Sequence, residues 1–378
     1  LACFKKITRK NMNKKIALRV LLPMLSSAVA LGALVSLSSA QTVPRADGVV
    51  NGTVNGVVTT RSHVFTPVSE GIYHITATGA VNLTSHAMLI VGEHDLLVVD
   101  SHVSPNAGMA LIDAIKNVSE KPVRYLINTH YHFDHAHGNQ VFPQDVEIIG
   151  HTYTRQKLNG ELGNVLEEST FISFTEGVPG QVAALQQQLA QETDAARRAE
   201  LEGRLGTAQA HLTSLGEIVP TPPNITIDES MSIYQTVNGG GREIQILHMG
   251  RGHTGGDVVV FLPEEKIVFT GDLMVPFIPY MGDAHVDEWP ATLEQLKALD
   301  FDTLLPGHGP IVQGKERIDF LQAYLRDLWT NTDALRRQGL TAEQAAQQID
   351  MTAHSGNYPQ ISGPGVDVRA IRRIYELL

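Results

Sequence analysis

Apolar and polar residues alternate in two separate blocks of this chain, and helical periodicity follows each block. In the first block, short apolar runs at 72–75, 88–91, 96–99, 125–127 and 146–149 are separated by turn residues and predict strands. The same signature recurs at 231–234, 243–247, 258–261 and 267–269. Helical spacing runs through 109–119, 290–299, 315–338 and 342–349, with a terminal helix predicted over 366–378. Strands plus helices, twice over, predict an α/β (α+β) chain with two sheets packed face to face and helices outside. The expected architecture is a four-layer αββα sandwich of two similar halves.

One segment breaks the pattern. Residues 181–215 are dense in Gln, Ala, Glu, Leu and Arg, with Leu185, Leu189, Leu201, Leu205, Leu212 and Leu215 at roughly helical intervals. Pro179-Gly180 precedes the stretch and Gly216 follows it, as start and stop signals. It reads as a helical insertion, either one long helix or a hairpin bent between Glu192 and Ala196. A lid, a dimer contact and scaffold packing are the roles open to it.

The first forty residues change the picture of where the chain goes. Lys5, Lys6, Arg9, Lys10, Lys14, Lys15 and Arg19 precede an apolar stretch over 20–37, and Ser38-Ser39-Ala40 supplies the small residues of a cleavage site. Residues 1–40 therefore read as a signal peptide, with Met12 as a natural start and 1–11 as upstream sequence. Residues 41–64 read as a flexible leader, 65–314 as the main domain, and 315–378 as a helical extension packed on it. A periplasmic or secreted location follows. Removing residues 1–40 takes away seven basic and no acidic side chains, moving the formal charge from −11 to −18. A field of that sign disfavours nucleic acid and anionic membrane, leaving a small molecule as the expected partner and the oligomeric state open. Cys3, the only cysteine, lies ahead of the cleavage point, so the processed chain has no disulfide and no thiolate chemistry.

The densest chemical signal is His130-Tyr131-His132-Phe133-Asp134-His135, directly after an apolar strand. Alternate residues of extended chain point the same way, so His130 and His132 can grip one metal. Asp134 and His135, where the chain must turn, can address a second. Imidazole mixed with carboxylate suits zinc, manganese or iron better than calcium. Three more ligand-type residues sit at strand ends beside glycine: His253 in Gly252-His253-Thr254-Gly255-Gly256-Asp257, Asp272 after Gly271, and His308 between Gly307 and Gly309. His137 and Asp257 stand close enough in sequence to support the ligands, although both also suit plain turn roles. His151 and His248 flank sheet ends. His63, His74, His86, His94, His102, His211, His285 and His354 carry no positional argument.

With these motifs in order over roughly residues 65–312, the chain resembles the metallo-β-lactamase superfamily. The resemblance implies a site between the two sheets. His130, His132 and His253 would hold one metal, Asp134, His135 and His308 a second, and Asp272 would bridge them. It implies two zinc ions per chain, with manganese or iron as alternatives. Asp100 resembles the family's early aspartate, which supports the site through hydrogen bonds. Where the name-giving lactamases carry cysteine or serine, this chain has Asp272, a pattern similar to the superfamily's thioesterases, lactonases and phosphodiesterases.

The chemistry expected is hydrolysis by a metal-bridging hydroxide of a carbonyl substrate such as an ester, lactone or amide, with β-lactams in range. Asp134 would orient the nucleophile, and Tyr280 would donate a hydrogen bond to the tetrahedral intermediate. The apolar loop at 273–289, Phe133 and the helical insertion are the candidate walls, with Trp289 as a packing anchor. A phosphodiesterase and a mononuclear-iron sulfur dioxygenase are the alternative reactions. A non-enzymatic metal-binding protein is disfavoured by the complete ligand set.

Overall fold

A computed structural model describes residues 52–378. The expected signal peptide and the start of the leader lie outside the described residues. Among the described residues, nine strands form one sheet in sequence order: β1 (Gly52–Val54), β2 (Val57–Thr59), β3 (His63–Ser69), β4 (Ile72–Ala77), β5 (Ala87–Val91), β6 (Leu96–Val99), β7 (Val123–Ile127), β8 (Glu147–His151) and β9 (Ile225–Ile227). Pairing is antiparallel as far as β6 and parallel from β6 to β9. The second sheet runs β10 (Ser230–Val237), β11 (Gly240–Leu247), β12 (Val259–Leu262), β13 (Ile267–Gly271), β14 (Thr303–Pro306) and β15 (Val312–Gln313). Only its β13–β14 pair is parallel.

Period-two alternation sorts side chains between layers. Met88 and Ile90 of β5, Leu97 and Val99 of β6, Val260 and Leu262 of β12, and Ile267 and Phe269 of β13 fill the space between the sheets. Their neighbours turn outwards. Ala87, Leu89, Leu96 and Val98 pack under α1 (Pro105–Ile115), which contributes Leu111, Ala114 and Ile115. On the other side, Val259, Phe261 and Val268 meet α7 (Trp289–Ala298), α8 (Glu316–Arg337), α9 (Ala342–Gln348) and α10 (Val368–Leu377). The result is the expected αββα sandwich. Each fully buried Leu or Ile in these layers contributes about 1.5–3 kcal/mol relative to exposure, so register is firmly set.

Between β7 and β9 the chain forms α2 (Phe133–Ala136), α3 (Thr152–Leu158), α4 (Ser169–Thr175), α5 (Val178–Gln191) and α6 (Ala195–Leu215). The insertion is thus a hairpin. Glu192 leaves helical geometry, and Asp194 caps α6 by accepting from the Arg197 backbone N–H at 2.9 Å. Its far end docks on α1, where Ser214 Oγ accepts from Asn106 N at 2.9 Å.

One expectation needs correction. The flexible leader drawn over 41–64 already carries β1, β2 and the start of β3, in register with the sheet. Asn55 and Gly56 both have positive φ (51° and 79°) between the paired Val54 and Val57, which is a two-residue hairpin turn. An Asn-Gly pair between valines carries that signal, and a composition-level reading passed over it. The short helix α4 was also missed, because the β-branched and aromatic residues over 170–175 look strand-like and two turns are too few to show a period. No helix of the described residues is long and apolar enough to cross a membrane.

Candidate metal centre

The ligand-type residues arrive on loops at one end of the sheets. His130, His132, Asp134 and His135 follow β7 and open α2, while Asp272 follows β13 and His308 follows β14. His253 sits in the turn between β11 and β12, which Asp257 locks by accepting from Thr254 N at 2.9 Å and Thr254 Oγ1 at 2.6 Å. Three of the four groups of described residues whose ligand atoms all lie within 4.8 Å of one another meet here: His130, His132 and His253; His130, His135 and Asp272; and Asp134, His135 and His308. All seven residues expected at the site are therefore brought together. Asp272 stands between the groups, with Oδ2 3.7 Å from His253 Nε2 and 3.4 Å from His308 Nε2, and Oδ1 3.4 Å from His135 Nε2.

Carboxylates fix which imidazole nitrogen carries the proton. Asp100 accepts from His135 Nδ1 at 2.7 Å, which leaves Nε2 of that ring facing the centre. Asp100 also accepts from Thr129 Oγ1 at 2.8 Å, and Thr129 Oγ1 lies 3.0 Å from His130 Nδ1. The hydroxyl proton is committed to Asp100, so the oxygen accepts from His130 and frees His130 Nε2. Asp283, on the loop after β13, lies 3.2 Å from His132 Nε2, leaving Nδ1 of that ring 2.9 Å from His253 Nε2. Asp283 was not singled out in the sequence, since nothing local marks it. Asp100 itself adopts a left-handed backbone, with φ 64°, which aims its carboxylate at both partners.

The field of the centre suits cations. Burial resists charging of His135, but Asp134, Asp272 and Asp100 outweigh it and push its pKa up to about 9. Burial also resists ionisation of Asp134, yet His135 and His308 hold it down to about 2. His253 behaves oppositely: burial, then neighbouring His132, drives it down to about 3, keeping it neutral as a metal ligand must be. His130 Nε2 and Asp272 Oδ1 are buried without a hydrogen-bond partner among the described residues. Unpaired buried polar atoms are rare, and these two belong to one group of ligand-spaced atoms. Nitrogen and carboxylate donors at this spacing fit a pair of transition-metal ions.

Close backbone approach is built in at Gly307. A Cβ there would run into the Asp272 carboxylate and the His135 ring, so only glycine lets the β14 loop close on the centre.

Other histidines sort differently from their expected roles. His137, expected to support the ligands, instead has both ring nitrogens buried without partners and packs against Phe171 and Phe133. The turn after α2 aims its ring into that aromatic cluster, and burial pushes its pKa down to about 3. His151 and His248 stack on each other at 4.1 Å, and His151 caps α3. His86, given no role from sequence, lies on the flank of the site: its backbone N–H donates to Gly307 O at 2.7 Å and its ring is 6.5 Å from that of His308. Ser85 beside it donates to the Asp134 carbonyl. Tyr280 places its ring 5.9 Å from that of His132, with its hydroxyl 3.1 Å from Thr170 Oγ1 on α4.

Residues 81–308 match the family described as the metallo-beta-lactamase superfamily. The chain belongs to that superfamily. A linear primary-alkylsulfatase from a Pseudomonas species is 22% identical over 308 residues, covering 76% of this chain and 54% of the relative. A metallo-beta-lactamase type 2 from Bacteroides fragilis is 38% identical over 81 residues, 20% of this chain and 32% of that protein. This chain thus spans about half the length of the alkylsulfatase it matches. Among solved structures, a stereoselective inverting sec-alkylsulfatase from a Pseudomonas species superposes with a TM-score of 0.54 at 16% identity, covering 83% of this chain and 50% of that one. That likeness concerns the fold. Fold, family and clustered ligand-type residues together define a candidate metal site of the superfamily's kind.

Proposed function

We propose that this protein is a dinuclear zinc hydrolase that opens an ester, lactone or amide at the centre described above. One observation carries the reading: two ligand groups lie side by side with the Asp272 carboxylate within 3.7 Å of a histidine in each. His130, His132 and His253 would hold one ion, Asp134, His135 and His308 the other, with Asp272 between them. Two divalent cations bound there would supply an activated water and a Lewis acid for the substrate's oxygen.

The chain's own residues do the rest. Asp100 and Asp283 keep His130, His135 and His132 in the tautomers that turn a lone pair to the centre. The Asp134 carboxylate, held ionised beside His308, orients the attacking water and takes a proton towards the leaving group. Phe133 and the buried apolar start of the 273–289 loop, Leu273, Met274 and Val275, exclude bulk water. Trp289 anchors that loop by donating from Nε1 to the Leu273 carbonyl at 2.9 Å. The expected export of the chain, from residues 1–40, puts this chemistry outside the cytoplasm.

A second reading is hydrolysis of a sulfate ester. The long match to an alkylsulfatase, over 76% of this chain, favours it. Metal analysis of protein purified without added metal, followed by a panel of a nitrophenyl ester, a lactone, a chromogenic cephalosporin, an alkyl sulfate and bis-nitrophenyl phosphate, separates the readings. Two zinc per chain and carbonyl turnover lost in His132→Ala and Asp134→Ala are the expected results. A single iron per chain, or turnover that survives both substitutions, would overturn the proposal.

A further inference from the structure

An unbroken aromatic surface leads away from the metal centre. The His132 ring meets Tyr280 at 5.9 Å, Tyr280 meets Phe174 at 5.7 Å, and Phe174 meets Phe133 at 5.7 Å. Phe171 and Phe174 are three residues apart on α4 and so share one helix face, and Phe171 closes on Phe133 at 6.0 Å. The inner members are covered, with Phe133 at 8% exposure, whereas Phe174 is 50% exposed at the outer end. A half-bare phenylalanine that continues a buried aromatic tier is open to a ligand's apolar surface.

This surface is held by the last helix. The Arg369 guanidinium lies 5.0 Å over the Tyr280 ring and 5.5 Å over the Phe174 ring, and its Nη1 donates to Ser173 Oγ at 3.2 Å. Its charge is already matched. Arg369 Nε donates to both oxygens of Asp367 at 3.0 Å, and Nη2 donates to Oδ2 at 2.6 Å. Two further charged groups near the surface also have partners: Lys157 pairs with Glu168 at 2.8 Å, and Asp283 with His132 and Thr170. A carboxylate lying here would lose water and find the neighbouring cations, Arg369 and Lys157, already paired.

We propose that the shelf of Phe174 and Tyr280, backed by the buried Phe133 and pinned by Arg369, seats an uncharged aryl or alkyl body of the substrate while the metal centre takes the scissile group. The inference rests on the hydrolase reading and deepens it to a substrate class. Phe174 is the specificity-determining residue at its outer end, and Arg369 is a positioning residue.

The test uses the zinc-loaded full chain with 4-nitrophenyl acetate, butyrate and octanoate, and an octanoate analogue ending in a carboxylate. The expected wild-type kcat/KM rises with chain length and falls about tenfold for the carboxylate-ended ester, the scale on which apolar pockets discriminate. Phe174→Ala should cut the octanoate-to-acetate ratio of kcat/KM about tenfold, mainly through KM, and Phe174→Leu should restore most of it. Arg369→Met should lower the same ratio by a smaller factor, also through KM. An unchanged ratio in Phe174→Ala, or a preference for the carboxylate-ended ester, would overturn the shelf while leaving the hydrolase standing. Binding of octanamide, read by ligand-observed NMR, tests the shelf without turnover: it should bind wild type and not Phe174→Ala. If none of these esters is hydrolysed but octanamide binds this way, the carboxylic-ester reading fails and the shelf stands. Equal binding to both proteins, or none to either, sinks the shelf.

Discussion

The carboxylate of Asp283 lies 3.2 Å from Nε2 of His132, across 151 residues of chain. A carboxylate can only accept there, so the ring keeps its proton on the outer nitrogen and turns the other inwards. Removing the acceptor leaves His132 free to choose the wrong tautomer. Asp283→Ala should weaken binding of one of the two metal ions about 10–100-fold, with Asp283→Asn milder because its amide oxygen still accepts. Competition with a zinc chelator measures this, and two unchanged affinities would refute it.

Asp100 has two separable duties, a carboxylate that serves two ligands and a left-handed backbone. Asp100→Asn should keep most of the backbone fit, because Asn tolerates this conformation, while metal affinity falls. Asp100→Ala should lose affinity and about 1–2 kcal/mol of stability besides. Urea unfolding of the two variants after chelation gives the difference. Equal stability would show that the backbone at 100 carries no strain.

Gly307→Ala should abolish binding of the ion that shares His135, because the new methyl meets that ring and Asp272. Metal content per chain reads the effect directly. Two ions retained at normal affinity would disprove the close approach.

Buried neutral histidines make the fold acid-sensitive. Burial holds both His63 and His74 down to about 4, the latter against an opposing backbone hydrogen bond to Pro306, whereas the unfolded chain titrates near 6.5. The unfolded state therefore binds more protons between those values, and stability rises with pH across the window. The contribution is whole above about pH 6.5 and drains away as the pH falls to about 4. Unfolding midpoints across that range should slope less steeply in His63→Gln than in wild type. Parallel slopes would mean His63 is already charged in the native state.

Much of this was legible along the chain. Strands 88–91, 96–99, 258–261 and 267–269 announced themselves because both sheet faces are buried, so each run is apolar throughout. The seven ligand-type residues were legible because four crowd into the six residues after β7 and three stand beside glycine in the loops after β11, β13 and β14. What stayed hidden is what depends on convergence. Asp283 is an ordinary loop aspartate until the loop folds back on His132. Phe174 sits on two turns of helix with no readable period, and Arg369 meets it from nearly two hundred residues away. His86 carried no positional signal, because only the crossing of the loop after β14 brings its ring within 6.5 Å of that of His308.

Asp100 touches His135 directly and reaches His130 through one threonine hydroxyl, so a single side chain disciplines both halves of the centre. Occupancy of the two halves should then be cooperative, because an ion that settles one imidazole would also fix the anchor that the other needs. Zinc-starved protein should divide into molecules carrying two ions and molecules carrying none, with few in between. Native mass spectrometry of the half-loaded sample would display that split, and an even spread of single occupancy would show the halves to be independent.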